Sequence, residues 1–433
     1  MSKIVFIGAG SLVFTRNLVR DILSFPAFSG DLTVALVDTD RRNLDYSRAA
    51  VERIIGEGRY GAKLIATTNR EEVLEGADGV LITIAVGGEE ATLVDVGIPE
   101  KYGVSVCVGD TRGPQGIFRY LRTIPVIMEI IRDVEKYCPQ AIVLNYTNPM
   151  AMICRTIQQL SPVVTTGLCH SVQHTAEMLG NWIGAPKEEV SYLCAGINHQ
   201  AHYLSFKWKG KDAYPLIREK ILSDCAIYDS EKVRNELFLH LGYYVTESTV
   251  HNSEYNPWFR KRPDLIRRYL PENSTRTTER IRGWMAAADE KHKKEIENWL
   301  AEPLDLKRGH EYAAAIFNAI FGDGTIFEFN GNIRNFGLID NLPQGSCVES
   351  PVEASRAGLR SIHVGPLPPQ LAILNSVNAQ IEDLAVEGYI NRDREKIYYA
   401  NYHDPLSSAL LSLEEIRAMT DEMFAAGKEW LPL

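Results

Sequence analysis

The chain has 433 residues, 45% of them hydrophobic, and a formal charge of −10. That length leaves room for two or three domains and a sizeable core, and the acidic balance, without a dominant basic tract, excludes nucleic acid as the expected partner. With a mean hydropathy of −0.15, no apolar run reaches the roughly 18 residues of a membrane span.

The chain runs from Met1-Ser2-Lys3 straight into a strand pattern, with no charged and apolar leader ahead of it. The first run, residues 3–8, is β-branched, ends in glycine and is too short for a helix. It reads as a buried parallel strand. Leu12 to Leu23 has helical periodicity, DLTVALVDTD is a second strand ending at Asp38, and an amphipathic stretch follows from Arg41 to Ile55. AKLIATT, Gly79 to Ile84, Ala141 to Asn145 and Val163 to Leu168 supply four more strands. Helical patterns lie between them, notably Gln115 to Tyr137. Alternation of this kind predicts an α/β fold, a parallel sheet with helices on both faces. After about residue 190 the pattern changes. Ala201 to Trp208 alternates with charges, Pro263 to Leu300 is polar and helix-prone, Pro366 to Pro369 marks a turn, and helices follow. We expect a Rossmann-like dinucleotide-binding domain over 1–190 and an α+β substrate domain over 191–433, packed closely on it. Seven cysteines (Cys107, Cys138, Cys154, Cys169, Cys194, Cys225 and Cys347) are scattered without a CxxC pair. They point to a reducing, cytoplasmic setting.

Gly8-Ala9-Gly10-Ser11 separates the first strand from its helix. Small residues there allow a tight turn and the approach of a pyrophosphate to the helix N-terminus. Asp38, at the end of the second strand, suits an adenosine ribose and favours NAD over NADP. The third glycine of the dinucleotide fingerprint is replaced by Val13, and Asp38 taken alone could equally cap the next helix. Ligands of open parallel sheets collect at the carboxyl ends of the strands, and four segments there carry unusual groups: VGDTRGP from Val108, NYTNPM from Asn145, GLCHS from Gly167 and GINH from Gly196. Cys169 and His199, if brought together, would make a mixed S/N/O site for a divalent ion. Read singly, each has a plainer account. Cys169 suits a buried small hydrophobe, His199 a structural histidine, His170 and His174 a solvated helix face, and Asn148 a turn before Pro149.

These segments, in this order, resemble the family 4 glycoside hydrolases. The matching stretches are FIGAGS, VGDTRGPQGIFRYLRTIP, NYTNPM, GLCHSV, GINH, LGYYVTESTVHNSEYNPWF and GNIRNFGLIDNLP, so the likeness covers nearly the whole chain. GLCHSVQ, the VTES-x-x-HNSEY stretch and PPQLAILN look most like the α-galactosidase branch. The resemblance implies a fold similar to lactate and malate dehydrogenases, NAD and usually Mn²⁺ as cofactors, and a homodimer or homotetramer. It matches Cys169 and His199 to the metal ligands and Asn148 to a residue holding sugar hydroxyls, and it places the general base near Tyr255, which alone would read as a core aromatic beside Trp258 and Phe259. Some phospho-sugar members carry Asp after the cysteine as an acid; here that position is His170. The implied reaction on an α-galactoside is an elimination–addition: hydride abstraction at C3 by NAD, C2 deprotonation beside a metal-stabilised enediolate, loss of the aglycone, and return of water and hydride. Within the family an α-glucosidase, a uronidase or a phospho-glycosidase is the alternative. An anionic sugar would want cations such as Arg260, Lys261, Arg262 or Arg334 near its C6. A 2-hydroxy-acid dehydrogenase would instead use Arg112, Arg119 or Arg122 on a substrate carboxylate, but it would not need Cys169 or NYTNPM.

Overall fold

The computed structural model describes residues 2–433. Six strands fall on the predicted apolar runs: β1 (Ser2–Ile7), β2 (Leu32–Val37), β3 (Lys63–Thr67), β4 (Gly79–Ile82), β5 (Ile142–Asn145) and β6 (Thr165–Leu168). They pair in parallel in the order β3-β2-β1-β4-β5-β6. The central strands are buried on both faces, which is why they read as continuous apolar runs rather than alternating ones. Val5, Ile7, Val80, Ile82 and Val143 join one core. Ile4, Phe6, Leu81 and Leu144 join the other. The helices Gly113–Tyr137 and Met150–Leu160 cover the first face, and Leu12–Leu23, Arg41–Gly58 and Tyr312–Phe321 cover the second.

The second half of the chain is joined to the first through the sheet itself. β7 (Val190–Ala195), β8 (His202–Trp208) and β9 (Lys211–Asp212) form a small antiparallel sheet. β10 (Phe327–Arg334), β11 (Cys347–Ser355) and β12 (Gly358–Ser361) extend the large sheet beyond β6. β10 lies antiparallel to β6, with Gly331 opposite Leu168. The predicted helical stretch after Pro263 is two helices, Pro263–Tyr269 and Thr278–Ala301. The C-terminal helices Pro369–Asn391, Arg394–His403 and Leu413–Gly427 bury Ile381, Val386, Ile397, Met419 and Phe424 in the first core. Among the described residues no helix is long and apolar enough to cross a membrane. The seven cysteines are all free.

Two consequences position the site. The strand order reverses between β1 and β4, and a crevice opens beyond their carboxyl ends. The loops after β4, β5 and β6, together with the turn after β7, then bring the four polar segments to one end of the sheet.

Candidate functional site

The crevice at the switch point is a cleft of about 740 Å³ lined by Gly8, Gly10, Ser11, Asp38, Asn43 and the 83–87 segment, among others. Its glycines are dictated by contact. Gly8 has φ +89°, and a Cβ there would lie 2.6 Å from the Thr83 carbonyl oxygen. At Gly10 a Cβ would lie 2.7 Å from Asp38 Oδ2. The Gly10 N–H donates to that same oxygen at 2.7 Å, so strand end and glycine turn are held together. Asp38 is not the cap of the following helix. Asp40 is, accepting from Arg42 and Asn43 N–H. The half-buried Asp38 carboxylate therefore keeps capacity toward the cleft. The helix Leu12–Leu23 has no side-chain cap at Ser11, so its first-turn amides are open to an anion. The cradle fits a dinucleotide.

Beyond β6, Cys169, His199 and Glu247 converge, with one ligand atom from each within 4.8 Å of the others. Their thiol, imidazole and carboxylate suit a divalent transition ion. Cys169 directly follows β6, while His199 (φ +63°) and Glu247 (φ +66°) both adopt left-handed backbone conformations. Such conformations in non-glycine residues cost about 1–3 kcal/mol each and persist where the surroundings enforce them, often at functional sites. Burial lowers His199 to about 4, which leaves a neutral imidazole with a free lone pair. Burial, with Glu247 and Glu349 nearby, pushes the Cys169 thiol well up, so a bound cation is what would make it a thiolate. Burial would also raise Glu247, but the His199 and His251 rings outweigh it and hold its carboxyl low. Beneath them Glu349 is wholly buried and is pushed up to about 8, mainly by burial. A Cys169 thiolate and the Glu247 carboxylate would together supply two negative charges, which match one divalent ion.

Tyr255 is buried against this group. Its Oη lies 3.3 Å from His199 Nδ1 and 2.8 Å from His251 Nδ1. His199 Nε2 faces Glu247 Oε2 at 3.4 Å, so the ring turns one nitrogen to the cation group and the other to the phenol. Burial holds the Tyr255 phenol well above 10, opposed by Arg112, whose guanidinium carbon sits 4.6 Å over the ring. Asn148 Nδ2 approaches Asp110 Oδ2 at 3.5 Å, and its Oδ1 is buried without a partner. The 107–110 loop is pinned by Glu254, which accepts from Cys107 N–H at 2.5 Å, Val108 N–H at 2.7 Å and Gly109 N–H at 3.0 Å.

His170 lies to one side. Its ring packs 5.0 Å from His174 and 6.0 Å from Phe14, and Nδ1 is 3.7 Å from Glu311. Burial lowers its pKa. The structure thus brings together Cys169, His199, Tyr255 and Asn148, and places His170 at the rim. Sequence reasoning missed Glu247, His251 and Asp110. The spacing 247, 251 and 255 was the available signal, one residue every four across the short helix Thr249–Glu254. The arginines considered for a substrate carboxylate are mostly spoken for. Arg112 pairs with buried Glu382 at 3.0 Å and Arg122 with buried Asp95 at 2.6 Å. Arg119 Nε lies 3.4 Å from the Asn148 carbonyl.

The sequence pattern of the family 4 glycosyl hydrolases matches residues 3–184, and that of their C-terminal domain matches residues 194–407. The chain belongs to the family 4 glycosyl hydrolases. It is similar to an alpha-galactosidase of Bacillus subtilis, with 38% identity across 100% of this chain and 99% of that one. An alpha-galactosidase of Rhizobium meliloti is 35% identical over 99% of this chain and 89% of its own. An alpha-galacturonidase of Thermoanaerobacterium saccharolyticum is 30% identical over 99% and 96%. Among solved structures, a 6-phospho-alpha-glucosidase from gut microorganisms, in complex with NAD and Mn²⁺, superposes with a TM-score of 0.81 at 18% identity, covering 100% of this chain and 99% of that one. The malate dehydrogenase of Plasmodium falciparum superposes at 0.52 with 10% identity, covering 90% and 100%. The glycosyl hydrolase fold described above is thus also an extended dehydrogenase fold.

Proposed function

We propose that this family 4 glycosyl hydrolase is an α-galactosidase acting by redox elimination–addition, with NAD in the glycine-lined cleft and a divalent ion, Mn²⁺ by preference, on Cys169, His199 and Glu247. The observation that carries this is the convergence of those three ligand atoms with the Tyr255 hydroxyl, 3.3 Å from His199. When bound, NAD exchanges hydride with C3 of the sugar, and the metal draws charge from the C2 and C3 oxygens. The chain does the rest. Gly8, Gly10 and Ser11 admit the pyrophosphate to the helix N-terminus, and Asp38 accepts from the ribose. Asn148 offers its unpartnered Oδ1 to a sugar hydroxyl. Tyr255 takes the C2 proton. His170, at the rim, protonates the departing aglycone oxygen.

A neutral sugar is favoured over a uronate or phosphate because three of the four cations considered for an anionic C6, Arg260, Arg262 and Arg334, are engaged elsewhere. Arg260 is buried and donates to the Ser105 carbonyl at 2.7 Å. Arg262 pairs with Asp264 at 3.0 Å on the surface. Arg334 donates to the Gly345 carbonyl at 3.0 Å. The two alpha-galactosidases also exceed the alpha-galacturonidase in identity.

The test is hydrolysis of p-nitrophenyl α-galactoside with NAD⁺, Mn²⁺ and a thiol, leaving out each in turn. Activity is expected only with NAD⁺ and metal both present, and the thiol protects Cys169. Activity in fully stripped enzyme would disprove the redox route. A glucoside, uronide or phospho-glycoside turned over in place of the galactoside would change the substrate alone.

The role of His170 makes a separate prediction. A nitrophenolate leaves without a proton, whereas a sugar alkoxide does not. His170→Ala is expected to cost little on the nitrophenyl substrate and about 10²-fold or more on a disaccharide. Equal losses on both would remove His170 as the acid.

A further inference from the structure

The helix Pro369–Asn391 carries three polar side chains where a core helix would carry apolar ones. Asn375, Asn378 and Glu382 are 0%, 3% and 4% exposed. Their spacing puts them on one face. Buried polar groups persist where they have partners, and each of these three reaches toward the candidate site. Asn375 Oδ1 accepts from Ile197 N–H at 2.8 Å, and its own Nδ2 is fixed on the Leu371 carbonyl at 3.0 Å. A Cβ on Gly196 would lie 2.6 Å from that Oδ1, so the glycine is what lets the amide in. Asn378 Nδ2 donates to Gln200 Oε1 at 2.9 Å, and Gln200 Nε2 donates to Asn256 Oδ1 at 3.4 Å. Glu382 holds Arg112 at 3.0 Å. Arg112 Nη2 in turn donates to the Asn198 carbonyl at 2.5 Å while its guanidinium lies over the Tyr255 ring.

The three rungs end on residues 197, 198 and 200, which flank His199, and on the Tyr255 segment. His199 itself stands at φ +63°, a conformation its own side chain disfavours and its neighbours must impose. We infer that this buried stripe on the C-terminal helix is a positioning device: it holds the His199 turn in its left-handed form and sets Tyr255 against it. Asn375, Asn378 and Glu382 are positioning residues. None of them touches the candidate ligand atoms. The geometric part is independent of the proposed function, and its consequence for metal binding rests on that reading.

Asn375→Leu removes the acceptor at similar volume, and Asn375→Asp retains one. Hydrogen exchange of the 196–200 segment reads the turn directly. Titration with Mn²⁺ followed by electron paramagnetic resonance reads the metal, and NAD⁺ binding in the glycine-lined cleft serves as the control. Asn375→Leu is expected to speed exchange at 196–200 and to weaken Mn²⁺ binding about tenfold or more, the range outer partners of metal ligands command. NAD⁺ affinity should stay within about twofold, a margin smaller than that metal effect, and Asn375→Asp should restore both other readouts. Unchanged exchange at 196–200, or equal losses of Mn²⁺ and NAD⁺ affinity, would overturn the inference. Should Asn375→Leu fail to fold, Glu382→Gln, which keeps the shape and loses the charge on Arg112, is read by the same measurements against the same outcomes. A wild-type protein that binds no Mn²⁺ would sink the proposed function, while the exchange measurement would still decide the role of the helix.

Discussion

Cys169→Ala is expected to abolish both tight metal binding and galactosidase activity while leaving NAD⁺ binding intact. The sulfur is one of three ligand atoms within 4.8 Å, and no other described cysteine, histidine or acidic side chain completes such a group. Outer partners of metal ligands are worth about 10–100-fold in affinity, so deleting a ligand atom should exceed about 100-fold. His199→Ala should behave alike, with the added release of its left-handed backbone. Cys169→Ser is the sharper variant. It keeps size and polarity, but the hydroxyl does not become an anion as the thiol does beside a cation. Equilibrium dialysis with Mn²⁺ gives the affinity, and quenching of protein fluorescence by NAD⁺ gives the control. A Cys169→Ala protein that binds Mn²⁺ as well as wild type would remove Cys169 from the site. Binding should also be pH-dependent, because the buried thiol is held well above 9 by burial and its acidic neighbours and must lose its proton to bind. Affinity should therefore rise with pH, as each ion bound releases a proton.

The parallel half of the fold was legible because strands buried on both faces leave an unambiguous mark, a short apolar run. β1, β2, β4 and β5 needed no partner information to be found. β10 and β11 were not legible. Buried Asn330, Asn332 and Glu349 interrupt their apolar pattern, because these strands carry polar groups toward the site. Their place beside β6 depends on pairing across more than a hundred residues. The site divides in the same way. Gly8, Gly10 and Asp38 were readable because the turn chemistry is local and repeats wherever a strand meets a dinucleotide. Cys169 and His199 read as a buried hydrophobe and a structural histidine until the resemblance assigned them. Nothing in a spacing of 30 says that two residues meet. Glu247 escaped because its usefulness depends on a φ of +66°, which a sequence does not display for a glutamate. Arg112 was considered as a partner for a substrate carboxylate. It turned out to be committed to Glu382, a contact between distant parts of the chain that only the packing of the C-terminal helix creates.

Tyr255→Phe should separate chemistry from binding. The substitution removes one oxygen from a wholly enclosed ring, so Arg112 keeps its place over the face and the packing is unchanged. Loss of the hydroxyl takes a proton acceptor away from C2, and positioned general bases contribute about 10²–10⁴-fold. We expect kcat to fall within that range, with KM, Mn²⁺ affinity and NAD⁺ affinity little altered. The phenol must ionise to act, yet burial and the carboxylates of Asp110, Glu254 and Glu247 hold it well above 10, with only Arg112 opposing. A divalent ion held by Cys169, His199 and Glu247 would reverse this balance: it would offset the Glu247 charge, and a His199 ring bound through Nε2 would have its Nδ1–H left for the phenolic oxygen, which favours the anion. The base is therefore expected to be competent only in the metal-loaded enzyme. An α-galactoside deuterated at C2 supplies the discriminating measurement. Wild type should show a primary isotope effect on kcat/KM, and in Tyr255→Phe, where proton abstraction becomes slower still, the effect should persist or grow. A variant that lost activity with the isotope effect abolished would mean that Tyr255 serves some other step, and the half-buried His251, 2.8 Å from its hydroxyl, would then be the group left to take the proton.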